Sequence, residues 1–196
     1  MQGQKDAHVK QIVIVIPERQ LIMDAINEYH RHTCIRFVSA RGHEKNKVMF
    51  QNGGGCSSFV GMIGDTQAIR LAPGCRHKGI IIHEIGHAIG FHHEQTRPDR
   101  DNYVRIEDRN IQQGVKYNFM KYTNEQVKSY GVAYDYLSVM HYGQRAFSRN
   151  GQPTIITLDR KYQEVIGNRD GLSFKDIELA NKIYDCASGK VFINKS

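Results

Sequence analysis

The sequence predicts an α+β fold, with a mixed sheet and helices in the first half and a mostly irregular second half that ends in a helix. Short apolar runs rich in β-branched residues indicate the strands, and apolar residues that recur at helical spacing indicate the helices. The region between the last two helices is polar and rich in tyrosine. With 196 residues and 40% hydrophobic content, the chain is long enough for one domain or for two small lobes that share a cleft.

In the first half, the order of predicted elements is strand, helix and three further strands. The run QIVIVI at 11–16 is closed by Pro17 and predicts a buried strand. From Glu18 to His32, apolar side chains form one stripe at helical spacing, which predicts an amphipathic helix. Further strands are predicted at 34–38, 47–51 and 67–72, and the glycines of 52–55 predict a turn.

Two more helices are predicted after these strands. The helix at 78–91 has three isoleucines at its entry, and Gly90 is expected to end it. The final helix is predicted at 173–184, with Ser173 as its N-cap. The two halves of the chain are expected to meet near Gly90.

Charge and hydropathy argue against two classes of function. The formal net charge is +7, but Lys and Arg are scattered, without a block of like charges or a basic motif interleaved with aromatic residues. A nucleic-acid binder is therefore supported by net charge alone, and we expect no nucleic-acid partner. No apolar run approaches the roughly 20 residues that span a bilayer, so we expect no membrane span.

Four cysteines, at positions 34, 56, 75 and 186, lie far apart and form no CxxC pair. This argues against a zinc ribbon or a thioredoxin-type site and suits two disulfides in an oxidising compartment, with three pairings open. Four reduced cysteines in a cytosolic protein are the alternative. Met1 opens a polar stretch without a signal-peptide pattern, so for a secreted protein we expect further sequence upstream.

The segment HEIGHAIGFHH, which begins at His83, predicts a metal centre. Positions four apart share a helix face, so His83 and His87 can hold one ion. Gly90 can adopt a positive φ, reverse the chain and return His93 as a third ligand. Three protein ligands leave a coordination position open, which is typical of catalytic rather than structural zinc. Glu84 lies close enough to reach a metal-bound water without binding the metal.

These residue types suit hydrolysis of a peptide bond. Neutral imidazoles leave zinc its full charge, which lowers the pKa of bound water from about 15.7 to about 7. Glu84 can then take the proton and deliver it to the leaving amine. Two residues must separate Gly90 from the third ligand, so His93 is predicted to bind and His92 to be a flanking side chain. A histidine-rich helix end without metal is the alternative reading.

The segment SVMHY, which ends at Tyr142, completes a longer pattern. An extended zinc motif followed by a methionine turn is the metzincin signature, in which Met140 would form an apolar floor beneath the metal. HEIGHAIGFHHEQTRPDRD together with SVMHY resembles the astacin family of zinc endopeptidases. CIRFV, GGGCSSFVG, DNYVRI, YNF and YDYLSVMHYG extend the resemblance over most of the chain. It implies a two-lobed metzincin-type protease fold with an active-site cleft between the lobes.

The resemblance also implies roles for particular residues. It implies the disulfides Cys34–Cys186 and Cys56–Cys75. Tyr142 is implied to be a fifth zinc ligand at rest, which swings away and donates a hydrogen bond to the tetrahedral oxyanion.

Glu94 matches the glutamate that follows the third histidine in the family and pairs with a freed amino terminus in mature enzymes. A solvated acidic side chain is the alternative. The first ten residues, MQGQKDAHVK, do not match the usual start of a mature family member. The resemblance therefore does not extend to the pairing of Glu94 with an amino terminus.

We therefore expect a secreted zinc-dependent endopeptidase, with one zinc ion per chain, that hydrolyses protein or peptide substrates. Residues 1–10 are expected to be an atypical polar segment, 11–186 the astacin-like catalytic domain and 187–196 a tail. A zinc-binding but inactive module that acts through protein contacts is the alternative function.

Overall fold

The computed structural model describes residues 9–42 and 45–186 of the chain. The predicted tail at 187–196, and all but the last two residues of the predicted polar segment at 1–10, lie outside these ranges. In chain order the regular elements are β1 (Val9–Ile14), α1 (Arg19–His32), β2 (Arg36–Ser39), β3 (Lys47–Gln51), β4 (Cys56–Ser57), β5 (Thr66–Leu71), α2 (Lys78–Ala88), β6 (Val104–Ile106), β7 (Ile155–Thr157) and α3 (Phe174–Ile183).

The first five strands form one mixed sheet in the order β2-β1-β3-β5-β4. β1 pairs in parallel with β2 on one side and with β3 on the other, and β3 pairs in parallel with β5. Parallel neighbours need a crossover connection, and α1 supplies it between β1 and β2. β4 is antiparallel to β5 and lies at one end of the sheet.

The structure corrects several predicted strand ends. β3 has the predicted bounds, whereas β1 begins and ends two residues earlier than predicted, β2 begins two residues later and β5 begins one residue earlier. The polar start of β1 is extended because Val9 pairs with Arg36, and Gln11 pairs with both Val38 and Lys47. Such pairing depends on distant residues and leaves no local apolar signal.

α1 packs its apolar stripe into the core, which confirms the predicted amphipathic helix. Ile22, Ala25, Ile26 and Tyr29 are completely buried. The Tyr29 hydroxyl donates a 2.8 Å hydrogen bond to the Ile82 carbonyl, so α1 is bonded directly to α2.

α2 is buried along almost its whole length and ends at Ala88, three residues before the predicted end. Gly90 has a φ of +106°, a value that glycine adopts readily and other residues rarely do. This conformation ends the series of helical hydrogen bonds. The Phe91 amide then donates to the Gly86 carbonyl at 2.9 Å, which closes the last turn. Near the other end, a Cβ on Gly79 would lie 1.6 Å from the Arg169 carbonyl oxygen, so α2 packs backbone to backbone against the 169 region.

α3 begins as predicted, with Ser173 as its N-cap. The Ser173 hydroxyl accepts from the Asp176 amide, and the Asp176 carboxylate accepts from the Ser173 amide. Ala180 of α3 belongs to the same core as the first sheet, although it lies far along the chain. A disulfide between Cys34 and Cys186 joins the end of this helix to the segment after α1.

A second, smaller core lies in the later half of the chain. It contains Val104, Ile111, Phe119, Tyr134, Ile155 and Ile166 and is flanked by the antiparallel pair β6–β7. A second disulfide joins Cys56 to Cys75 beside β4 and β5. Together with Cys34–Cys186, these are the two pairs that the resemblance implies. Within the described residues, the helices are too short or too polar to cross a membrane.

Candidate active site

Three histidines converge at the end of α2. The Nε2 atom of His93 lies 3.1 Å from that of His87 and 3.2 Å from that of His83. Four ligands around zinc at bond lengths of 2.0–2.1 Å stand about 3.3 Å apart, so each of these two separations fits a pair of ligands at neighbouring corners of a tetrahedron. Within the described residues, this is the group of histidine, cysteine and acidic side chains that could hold a metal ion.

Hydrogen bonds on the far side of two rings fix which nitrogens face the centre. His83 Nδ1 donates to the Val139 carbonyl at 2.8 Å, and His87 Nδ1 donates to the Phe91 carbonyl at 2.8 Å. A carbonyl can only accept, so in the neutral rings both Nε2 atoms carry lone pairs. His93 Nε2 lies within 3.2 Å of both atoms and can carry at most one hydrogen, so in at least one of these two contacts lone pairs would face each other unless a cation lies between them. The donor set therefore fits a metal ion.

Burial also keeps these rings neutral. His83 and His87 are each 7% exposed. Burial, helped by the neighbouring histidine, lowers the pKa of His83 to about 3, and burial lowers that of His87 to about 4. The pKa of His93 lies well below its usual value for the same reasons. The triad can thus bind a metal ion across the physiological pH range.

Glu84 lies beside the triad in the first turns of α2 and is 4% exposed. Burial raises the pKa of its carboxyl to about 7, and the charge of Arg169 partly offsets this rise. Among the described residues its Oε2 atom is buried without a hydrogen-bond partner. A buried carboxylate oxygen with an unused acceptor and a pKa near neutrality suits a group that exchanges protons with solvent in the site.

The floor of the site is apolar. Met140 is 2% exposed, and a Cβ on Gly86 would lie 2.7 Å from its sulfur. The absence of a side chain at Gly86 lets the Met140 sulfur pack directly against α2. The Met140 carbonyl accepts from the Glu94 amide at 3.2 Å, so the methionine turn is joined to the segment that carries the third histidine.

Tyr142 lies against the triad. Its ring centroid is 4.4 Å from that of His93. Burial and the charge of Glu84 raise the pKa of the Tyr142 hydroxyl to about 12. The hydroxyl therefore keeps its proton at neutral pH and can donate a hydrogen bond.

Glu94 is 7% exposed, so the solvated alternative for this side chain is wrong. Its Oε1 atom accepts from the Asp135 amide at 2.7 Å and from Arg97 Nη1 at 3.3 Å. Burial raises its pKa to about 8, although Arg97 acts in the opposite direction. His92 is not part of the triad, and its ring packs on that of Tyr122 with the two centroids 4.6 Å apart.

Sequence reasoning missed the two charged residues that hold the methionine turn. Arg169 Nη1 donates to the carbonyls of Val139 and His141, at 2.8 and 3.1 Å. Asp176 accepts from the Ser138 hydroxyl at 2.6 Å and from the Val139 amide at 2.9 Å. The spacing of Ser173 and Asp176 indicates a capping box, but no local pattern indicates that Asp176 also reaches the turn.

Comparisons with known proteins agree with this geometry. The family model for Astacin, a peptidase family, matches residues 13–185. Protein SpAN from Strongylocentrotus purpuratus is 46% identical over 176 residues, which cover 86% of this chain and 29% of that protein. Zinc metalloproteinase nas-15 from Caenorhabditis elegans is 46% identical over 168 residues, with 86% and 29% coverage. The chain thus spans less than a third of the length of these two relatives.

A solved structure matches over nearly its whole length. High choriolytic enzyme 1, a hatching enzyme zinc-protease from the medaka fish Oryzias latipes, superposes with a TM-score of 0.85 at 39% identity. The match covers 91% of this chain and 90% of that one. The sequence match and the shared fold confirm the resemblance found in the sequence, and the chain belongs to the astacin family of peptidases.

Proposed function

We propose that this chain is a zinc-dependent endopeptidase that hydrolyses peptide bonds in protein or peptide substrates. The observation that carries the proposal is the convergence of three Nε2 atoms at 3.1 and 3.2 Å beside a buried glutamate. Membership of a peptidase family and relatives named as zinc metalloproteinases support the choice of metal and reaction.

His83, His87 and His93 would hold one zinc ion per chain. When bound, zinc supplies a Lewis-acid charge that polarises the scissile carbonyl and acidifies water. The carbonyls of Val139 and Phe91 hold two of the rings in the tautomer that faces the metal.

Glu84 is the general base in this proposal. Its unpartnered Oε2 atom takes the proton of the attacking water, and the carboxyl then gives that proton to the leaving nitrogen. Proton transfer in both directions is efficient when the pKa lies near the working pH, as a value of about 7 does. Tyr142 donates its hydroxyl hydrogen bond to the oxyanion as the carbonyl becomes tetrahedral.

Cleavage of a denatured protein substrate by the purified, oxidised chain tests the proposal. We expect cleavage to be lost on treatment with a chelator, restored by zinc and abolished in Glu84→Gln, which keeps the shape but cannot accept the proton. Full activity in Glu84→Gln would reject the glutamate as base. One zinc per chain without any proteolysis would favour the alternative of a zinc-binding module that acts through protein contacts.

We further propose that 11–186 is the catalytic domain and that the protein is secreted. The family match over residues 13–185 supports the domain, and the two disulfides suit an oxidising compartment. Thiol alkylation of the protein taken from its natural source tests the compartment. We expect all four cysteines to resist labelling before reduction, and labelling without reduction would contradict secretion.

A further inference from the structure

Phe147 adopts a backbone conformation that phenylalanine rarely takes. Its φ is +53°, in the left-handed region where a bulky side chain is an outlier. Core burial does not explain this conformation, because the residue is 38% exposed. Outliers of this kind persist where the surrounding structure enforces them, and they are concentrated at functional sites.

Hydrogen bonds on both sides of the residue enforce the conformation. The Phe147 carbonyl accepts from the Gln112 amide at 2.9 Å. Just before it, the Ala146 carbonyl accepts from the Thr154 hydroxyl at 2.7 Å. The backbone at Phe147 is thus held between two separate segments of the chain.

This conformation brings the Phe147 ring against Tyr142. The two ring centroids are 5.6 Å apart. Both rings also meet the buried ring of Phe119 edge-on, at 6.2 Å from Phe147 and 5.8 Å from Tyr142. With His93 at 4.4 Å, three rings surround Tyr142, and Phe147 is the exposed member of the three.

Ring packing sets the direction of the Tyr142 phenol. The Tyr142 amide donates to Gln95 Oε1 at 3.1 Å and its carbonyl accepts from His141 Nδ1 at 2.7 Å, which fixes the main chain. Its hydroxyl makes no hydrogen bond within the described part of the chain, so no polar contact there fixes the ring. The neighbouring rings therefore limit where the hydroxyl can lie.

We propose that Phe147 is a positioning residue for Tyr142: its ring, held by the left-handed backbone, sets the place from which the Tyr142 hydroxyl acts. The inference rests on the proposed function, in which that hydroxyl donates to the oxyanion. Phe147 acts only through Tyr142 and contacts no reacting atom.

Three substitutions separate the ring from the backbone strain. Phe147→Ala removes the ring and keeps the strain, Phe147→Gly removes both, and Phe147→Tyr keeps the ring. We expect Phe147→Ala and Phe147→Gly to lower kcat equally, by about tenfold, at unchanged zinc content. Phe147→Gly should melt at a higher temperature than Phe147→Ala, and Phe147→Tyr should retain kcat. If kcat varied among the three variants with their melting temperature, and not with the presence of an aromatic ring at position 147, the proposal would be overturned.

A double-mutant cycle tests whether the effect passes through Tyr142. In a Tyr142→Phe background no hydroxyl remains to be positioned, so adding Phe147→Ala should change kcat by less than about twofold. A full tenfold loss in that background would overturn the proposal, as would wild-type kcat in the single variant Phe147→Ala.

A spectroscopic measurement decides the inference independently of turnover. With carbon-13-labelled tyrosine rings, the Tyr142 signal is identified by its loss in Tyr142→Phe. We expect this signal to broaden or split in Phe147→Ala, because the unsupported ring then takes more than one orientation, while the signals of tyrosines remote from residue 147 stay sharp. A single sharp Tyr142 signal that is only displaced, as loss of the Phe147 ring current alone would cause, would refute the positioning role. If the wild-type chain cleaves nothing, the proposed function fails, but the spectrum still decides whether Phe147 positions Tyr142.

Discussion

At the scale of single residues, burial sets the pH range over which the three imidazoles are free to bind zinc. An imidazole binds metal only in its neutral form, and burial moves the pKa values of His83 and His87 to about 3 and about 4. Lowered pKa values favour the neutral form, so protonation should begin to compete with zinc only in acid. Three solvent-exposed histidines would instead begin to lose zinc to protonation near neutral pH.

We therefore expect the zinc affinity of Glu84→Gln, in which no carboxylate titrates beside the metal, to fall by less than about tenfold between pH 7.5 and pH 5.5, a fall that includes the ionisation of zinc-bound water. Three imidazoles with an ordinary pKa of about 6.5 would lose roughly a thousandfold over the same range. Competition with a chromophoric chelator, corrected for protonation of the chelator, measures the affinity at both pH values. His92→Ala is the matched control, because His92 is not in the triad and its loss should leave both affinities unchanged. A thousandfold fall would contradict the role of burial.

Tyr142 offers a second test at this scale. Tyr142→Phe keeps the ring that packs on His93 and removes the donor, so we expect kcat to fall by about a hundredfold while zinc stays bound. Turnover and metal content are measured on the same preparation. Unchanged turnover would remove Tyr142 from the mechanism. Tyr122→Phe, which alters a tyrosine beside His92, is the control and should retain activity.

At the scale of elements, the position of α2 depends on a close contact with the segment around Arg169. A Cβ at Gly79 would overlap the Arg169 carbonyl oxygen at 1.6 Å, and neither backbone can move without shifting its own element. We expect Gly79→Ala to lower the free energy of unfolding by about 3 kcal/mol, measured by urea denaturation of the zinc-free protein. Gly54→Ala should change it by less than about 0.5 kcal/mol, because a Cβ there has open space. Equal effects of the two substitutions would contradict the close packing.

The elements also show which parts of the fold local sequence can predict. The start of α3 and the bounds of β3 could be predicted because an N-cap serine and a short apolar run between polar residues are local signals. The ends of β1 and β2 could not, because they depend on mutual pairing. The metal triad is local as well, since its three histidines lie within eleven residues of sequence.

The contacts that complete the site are not local. Asp176 meets Ser138 across 38 positions, and Arg169 meets Val139 across 30. A single sequence gives no signal for such pairs, so the support of the methionine turn could be found only in three dimensions. The role of Phe147 was hidden for a different reason, because no local pattern predicts a positive φ at a phenylalanine.

At the scale of the whole molecule, the two disulfides should contribute unequally to stability. Cys34–Cys186 closes a loop over 152 positions and Cys56–Cys75 closes one over 19. The chain-entropy estimate gives about 5 kcal/mol for the long loop and about 3 kcal/mol for the short one. The long bridge also fastens α3, whose Asp176 holds the methionine turn, to the segment that follows α1.

We therefore expect the double substitution Cys34→Ser with Cys186→Ser to destabilise the protein more than Cys56→Ser with Cys75→Ser, by about 2 kcal/mol in urea unfolding. The long-bridge variant should also bind zinc less tightly, because the loosened helix no longer holds the turn beneath the triad. Equal destabilisation by the two pairs of substitutions would contradict the loop-length argument. Equal zinc affinity of the two variants would show that α3 does not support the metal centre.

The acceptors that orient His83 and His87 belong to the main chain of Val139 and Phe91. Replacing either of these two side chains leaves its peptide oxygen present, so the partner of the ligand ring is kept in any substitution that the surrounding core accepts. What selection must preserve at these positions is the path of the backbone. Exchange among apolar side chains of similar size, combined with intolerance to a one-residue insertion or deletion, is the mutational pattern that this arrangement should leave among descendants of the chain.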